Sequence, residues 1–231
     1  MFRKALLITA IAIGVPTSAH ADFRYSLTTS TGYNTPVGGT VFGSNPGDFN
    51  LSSATTGGLE FSQTSASWQT SPTLGVLNST ALTVTNFTAG TQTFTLMVSV
   101  NGLVAPPSPL AYASTVSGNF SSGSTGSSAS FTSYFGSTGV LFGATNPIGF
   151  GPFNGASGLT AFGGVQNGPL VTYGADYSVT HEITVTLAAG SVLLFNFRTE
   201  LTPVPEPATI SAAFIGLSCL GLARFRRKSK V

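Results

Sequence analysis

Charge is what this sequence lacks most. Only 7% of its 231 residues are Asp, Glu, Lys or Arg, against roughly 25% in an ordinary soluble domain. Much of that charge sits at the ends: Arg3 and Lys4 near the start, and Arg224, Arg226, Arg227, Lys228 and Lys230 near the finish. Between Asp22 and Pro203 two cations, Arg24 and Arg198, face six acids, Asp22, Asp48, Glu60, Asp176, Glu182 and Glu200, for a net charge of −4. Such a body offers no basic face, so nucleic acid is not an expected partner. Cysteine is almost absent too. Cys219 is the only one and lies in a C-terminal apolar run, which leaves the body no disulfide, no thiolate metal site and no cysteine nucleophile. Histidine is limited to His20 and His181. There is no nucleophile elbow, no phosphate-cradling glycine loop and no helical His-x-x-x-His pair. The sequence therefore gives no reason to expect catalytic, cofactor-binding or metal residues.

What is present begins with MFRKALLITAIAIGVPTSAHA. Two cations precede an apolar stretch over 5–15, Pro16 breaks it, and Ala19-His20-Ala21 follows. Small residues at Ala19 and Ala21 fit a narrow peptidase cleft, so the pattern predicts a signal peptide over 1–21 with cleavage before Asp22.

At the other end, 208–223 is a 16-residue run without charge. As a helix it would be about 24 Å long, short for a hydrocarbon core of roughly 30 Å. It spans only with local thinning or snorkelling of the following cations. Those cations, Arg224, Arg226, Arg227 and Lys228, would stay cytoplasmic under the positive-inside bias. The run is preceded by Val204-Pro205-Glu206-Pro207. Pro205 fixes its own φ and Pro207 pushes Glu206 toward extended geometry, so the segment is stiff. A stiff peptide loses little entropy when a processing enzyme binds it.

The order Pro-Glu-Pro, apolar run, Arg-rich tail over about 203–230 resembles the bacterial PEP-CTERM sorting domain. The resemblance implies a sorting motif at Val204, Pro205, Glu206 and Pro207, a transient membrane stop over 208–223 and a basic retention tail over 224–231. It further implies processing by exosortase, a membrane-embedded cysteine protease or transpeptidase, after signal peptidase has acted on the other end. It points to export across the inner membrane of a Gram-negative bacterium, then release or surface attachment alongside exopolysaccharide. No catalytic residue is implied for this chain, because the chemistry belongs to the processing enzyme.

The body, 22–202, reads as all-β. Residues 180–187 (THEITVTL) alternate with period two, a strand with Ile183, Val185 and Leu187 on one face. With 191–200 and the turn 188–190 they predict a C-terminal hairpin. Residues 80–87 and 93–100 predict a second pair. Further strands are expected at 23–29, 59–62, 65–69, 111–117, 129–135 and 171–179. Many short strands punctuated by Gly, Ser and Asn favour an antiparallel β-sandwich. The rival, an outer-membrane barrel, needs strands of about nine to eleven residues with aromatic girdles. Three stretches read as loops: 105–109, the low-complexity 118–128, and the Gly- and Pro-rich 143–168. A loop as long as the last is functional or conceals strands, and its Phe150, Phe153 and Phe162 are expected to tuck against the core edge.

Within that body His181 shares the parity of Ile183 and reads as a half-buried strand histidine with a backbone partner. It adjoins Glu182, which points the other way. Asp176 and Glu182 are six apart, on one face if their strand is unbroken. A glycoside-hydrolysing alternative would need two of Asp48, Glu60, Asp176, Glu182 and Glu200 within about 5 to 10 Å. A carbohydrate-binding alternative would use an exposed Trp68 as a stacking platform, but in its strand context Trp68 reads as core.

Overall fold

Alternation of apolar and hydroxyl-bearing residues builds the architecture, as a computed structural model of the chain shows. It describes residues 22–30, 48–51, 54–71, 74–104, 109–136, 140–171 and 176–204. The strands are β1 (Asp22–Thr29), β2 (Asp48–Leu51), β3 (Ala54–Thr56), β4 (Leu59–Ser71), β5 (Leu74–Asn86) and β6 (Gln92–Val104). They continue with β7 (Leu110–Phe120), β8 (Ser128–Gly136), β9 (Ile148–Asn154), β10 (Thr160–Asn167), β11 (Asp176–Leu187) and β12 (Val192–Pro203). The described residues contain no helix. The signal peptide and the apolar run 208–223 lie outside them.

The strands form two antiparallel sheets, one of five strands in the order β1-β6-β11-β8-β9, the other of seven with β10-β7-β12-β5-β4-β2, β3 also pairing with β4. β5 pairs with β12, β6 with β11, β7 with β10 and β8 with β9. Successive pairs alternate between the two sheets, as when one long two-stranded ribbon is wrapped into a jelly roll. β1 and β4 widen the sheets beside β6 and β5.

The inward rows fill a single core. Phe94, Leu96, Val98 and Val100 of β6 and Ile183, Val185 and Leu187 of β11 face Leu193, Phe195, Phe197 and Leu201 of β12. Phe131 of β8 is the hub. Its ring lies 5.4 and 5.6 Å from those of Phe195 and Phe197, and 5.7 and 6.2 Å from Phe162 and Phe153. Edge-on and tilted geometries of this kind suit the ring quadrupoles. β7 makes room at Gly118, where a Cβ would fall 2.3 Å from the Leu194 carbonyl oxygen and 2.5 Å from the Phe162 ring.

Several expectations are corrected. Neither expected hairpin exists: β5 and β6 lie in different sheets, and so do β11 and β12. Their connections are arches that cross the roughly 10 Å between sheets. Both geometries bury the same parity, so alternation alone does not separate them. Strands are longer than expected. The pieces at 59–62 and 65–69 are one strand, β4, and several strands reach the length of barrel strands. What distinguishes the sandwich is that the apolar rows point inward between two open sheets. Val171 is an isolated bridge to Leu110 and not part of β11. The stretch 143–168 conceals β9 and β10, with Phe150 buried and Phe153 and Phe162 packed against the core. The low-complexity segment is also fixed: Ser124 Oγ donates to the Ser121 carbonyl at 2.7 Å, and Ser127 Oγ accepts from Ala188 N–H at 2.9 Å.

Candidate functional site

Of the expected sorting residues the structure describes Val204 alone. Pro205, Glu206, Pro207, Arg224, Arg226, Arg227 and Lys228 lie outside the described residues, as do Ala19 and Ala21. The attachment point is nevertheless well defined. β12 is a central strand, paired with β5 on one side and β7 on the other, and it runs to Pro203 opposite Leu110. Val204 N–H then donates to the Pro109 carbonyl at 2.9 Å. The motif is thus joined to the sandwich with no spacer after the last strand.

The body's one histidine sits in the interior. His181 is fully buried, not half-buried, and its partners are hydroxyls, not backbone. Nδ1 lies 2.8 Å from Ser79 Oγ and Nε2 lies 2.8 Å from Thr199 Oγ1. Thr199 Oγ1 is also 2.8 Å from Ser114 Oγ and from Ser133 Oγ. The five residues come from β11, β8, β5, β12 and β7, so the network ties the two sheets together through the core. Phe197 stacks on the imidazole at 4.1 Å. Burial pushes the His181 pKa down to about 3, so the ring is neutral near pH 7. With no exposure it meets no substrate, and the network acts as a polar clamp. Sequence reading missed Ser79, Ser114, Ser133 and Thr199. A signal was present: Ser114 falls between Tyr112 and Val116, Ser133 between Phe131 and Phe135, and Thr199 between Phe197 and Leu201, each on an inward row.

The acids with described side chains, Glu60, Glu182 and Glu200, are not gathered. Glu60 on β4 stands opposite Thr85 of β5, and Glu200 on β12 stands opposite Val76. Nine residues of β5 separate those positions, about 30 Å at ~3.3 Å per residue. Glu182 lies on the outer face of the other sheet, where Tyr134 OH donates to its Oε2 at 2.7 Å. Burial first, and then that carboxylate, push the Tyr134 phenol up to about 12. Asp176 and Glu182 belong to one unbroken strand, β11, whose inward row Tyr177, Val179, His181 and Ile183 keeps a single parity; the register shift beside Tyr177 places its extra residue on β6. The side chains of Asp48, Asp176 and Trp68 lie outside the described residues. No three metal-ligating side chains come together among the described residues. On the outer face of the seven-stranded sheet, Ser67, Val76, Asn78 and Arg198 line an open depression. Arg198 pairs there with Glu200 in a half-exposed ion pair.

No protein-family model matches the chain, and no curated protein does. Among solved structures it has a distant likeness to TmCBM61 in complex with beta-1,4-galactotriose, at 12% identity over 54% of this chain and 69% of that one, with a TM-score of 0.26. The tailspike protein 4 enzymatically active domain of bacteriophage CBA120 aligns at 9% identity over 75% of this chain and 19% of that one, TM-score 0.26. The isomalto-dextranase of Arthrobacter globiformis T6 complexed with panose aligns at 11% identity over 79% and 33%, TM-score 0.23. Likenesses of this size carry no weight for function.

Proposed function

We propose that the chain is a non-enzymatic exported protein whose tail resembles the PEP-CTERM sorting signal, and whose β-sandwich becomes a surface or extracellular-matrix component associated with exopolysaccharide. Signal peptidase frees the body at Asp22. The run 208–223 halts the chain transiently in the inner membrane, and exosortase processes it near Val204, Pro205, Glu206 and Pro207. The observation that carries this reading is the join between motif and fold. The expected recognition peptide follows directly on the end of a central strand, and the amide of its first residue, Val204, is already bonded to the Pro109 carbonyl. A folded body on one side and an undersized apolar run on the other bracket the tetrapeptide that the processing enzyme would bind.

Replacing Glu206 with Ala tests it. In a strain with exosortase, the wild-type body is expected to leave the membrane fraction with the mass of a trimmed chain, while the Glu206→Ala protein stays at full length in the membrane. Equal trimming of both, or identical masses with and without exosortase, refutes the reading.

A glycan-binding role is the second reading. It is favoured by the outer face of the seven-stranded sheet, where the depression at Ser67, Asn78 and Arg198 adjoins exposed Thr115, Ser117 and Asn196. These are hydrogen-bonding groups on one open sheet face, suited to sugar hydroxyls.

A further inference from the structure

We infer that the end of the sandwich where β12 finishes is its membrane-facing pole, and that the 168–171 turn rests on the lipid surface while the tail is in place. This rests on the reading of the tail given above. Ala208, the first residue of the apolar run, is four residues beyond Val204. Fully extended, four residues reach at most about 14 Å. Whatever lies beside Val204 is therefore held within that distance of the bilayer.

The turn lies there. Leu110 pairs with Pro203 on one side and with Val171 on the other. Two strand spacings place Val171 about 10 Å from the tail exit. Pro169 and Leu170 are exposed, Leu170 by 64%. The turn is already fixed: Gly168 N–H donates to the Tyr112 carbonyl at 2.9 Å, and Val171 and Leu110 exchange two backbone bonds at 3.0 Å. Contact with lipid would cost it little ordering entropy.

Exposed apolar residues occur at the opposite pole as well, in Phe87 and Leu159. Apolarity does not choose between the ends; the four-residue tether does. The charged positions nearest the proximal pole are Asp22, Arg24, Asp48, Asp176, Arg198 and Glu200. Four acids and two cations give no electrostatic pull toward anionic lipid, so the contact is apolar. Asp22 opens β1 opposite Asn101, near the end of β6, and Val104 at that end stands opposite Asp176. The expected signal-peptide junction is thus at the same pole.

The test uses the full-length chain with Cys219→Ser, labelled with an environment-sensitive fluorophore at Leu170→Cys or at Ala189→Cys. The second position lies in the far arch, roughly 40 Å away along the twelve residues of β12. Both proteins are reconstituted into phosphatidylcholine vesicles carrying a headgroup nitroxide. Loss of emission is expected at 170 and not at 189. Equal loss at both positions, or none at either, in chains that resist carbonate extraction overturns the orientation alone. Chains washed off by carbonate overturn the tail reading and this inference together. Thr202→Cys, exposed on the same pole, replaces Leu170→Cys if that variant fails to fold, with the same outcomes expected.

Discussion

His181 has traded solvent for two hydroxyls, those of Ser79 and Thr199, and that trade sets a pH dependence. Its native pKa of about 3 lies below its ordinary value of 6.5. Above pH 6.5 neither the native nor the unfolded chain carries the proton, and the network contributes fully. Below that pH the unfolded chain takes up a proton that the native one refuses, and stability falls until about pH 3. Between pH 7 and pH 5 the fall from this group is on the order of 2 kcal/mol. His181→Gln keeps a side chain able to bond Ser79 or Thr199 but cannot titrate. It is expected to be less stable at pH 7, yet to lose less than the wild type on acidification, as read from urea midpoints at the two pH values. A parallel loss in both proteins would show that His181 is not the source. The inward direction of this histidine was legible from its spacing to Ile183. Its partners were not, because a hydroxyl on an inward row reads as an interruption until the facing sheet supplies its counterpart.

Among the elements, the two arches carry the lesson. β5–β6 and β11–β12 lie side by side, and Asn86 staples them at full burial. Its N–H donates to the Ser191 carbonyl and its own carbonyl accepts from Gly190 N–H, each at 3.0 Å. Its Nδ2 reaches the carbonyls of Gly90, Leu187 and Ala188 at 2.8 to 3.1 Å, and its Oδ1 accepts from Thr88 N–H and Oγ1. Asn86 opens an Asn-x-Thr triplet, but a buried staple is no glycan acceptor. Asn86→Ala removes the donor to the Leu187 carbonyl and the acceptor of the Thr88 amide, while the Gly90 and Ala188 carbonyls keep Thr88 Oγ1 and Ser191 N–H; an unpaired buried group is costly. A loss of about 3 kcal/mol is expected in urea unfolding, without change in the m-value. A loss near zero would mean that the arches hold without it. Strand existence was largely legible here, since period-two alternation is a property of each segment alone. Partner choice was not, since it depends on which inward row each segment meets across the core. β9 and β10 escaped notice because glycines alternate with the phenylalanines there. Gly149 and Gly163 supply no outward polar side chain to reveal the period, and Gly164 leaves the inward row without a side chain where it meets the Phe150 ring.

At the scale of the whole molecule, wrapping puts the last strand in the middle. β12 joins β5 to β7, and without it the seven-stranded sheet falls into two pieces. A chain ending at Ala189 lacks Leu193, Phe195, Phe197 and Leu201, the inward row at the centre of the seven-stranded sheet. It is expected to unfold without a cooperative transition and to be cut rapidly by protease. A sharp urea transition in that fragment would contradict the topology's dependence on its final strand.

For a polypeptide threaded outward amino end first, such a keystone arrives last. On the export route proposed above, the sheet could not lock until residue 203 had cleared the translocation channel, when the apolar run 208–223 would already be entering the bilayer. Completion of the fold and arrest in the membrane would then be timed by the same few residues, so that a processing enzyme at the surface meets a finished body and not a nascent one.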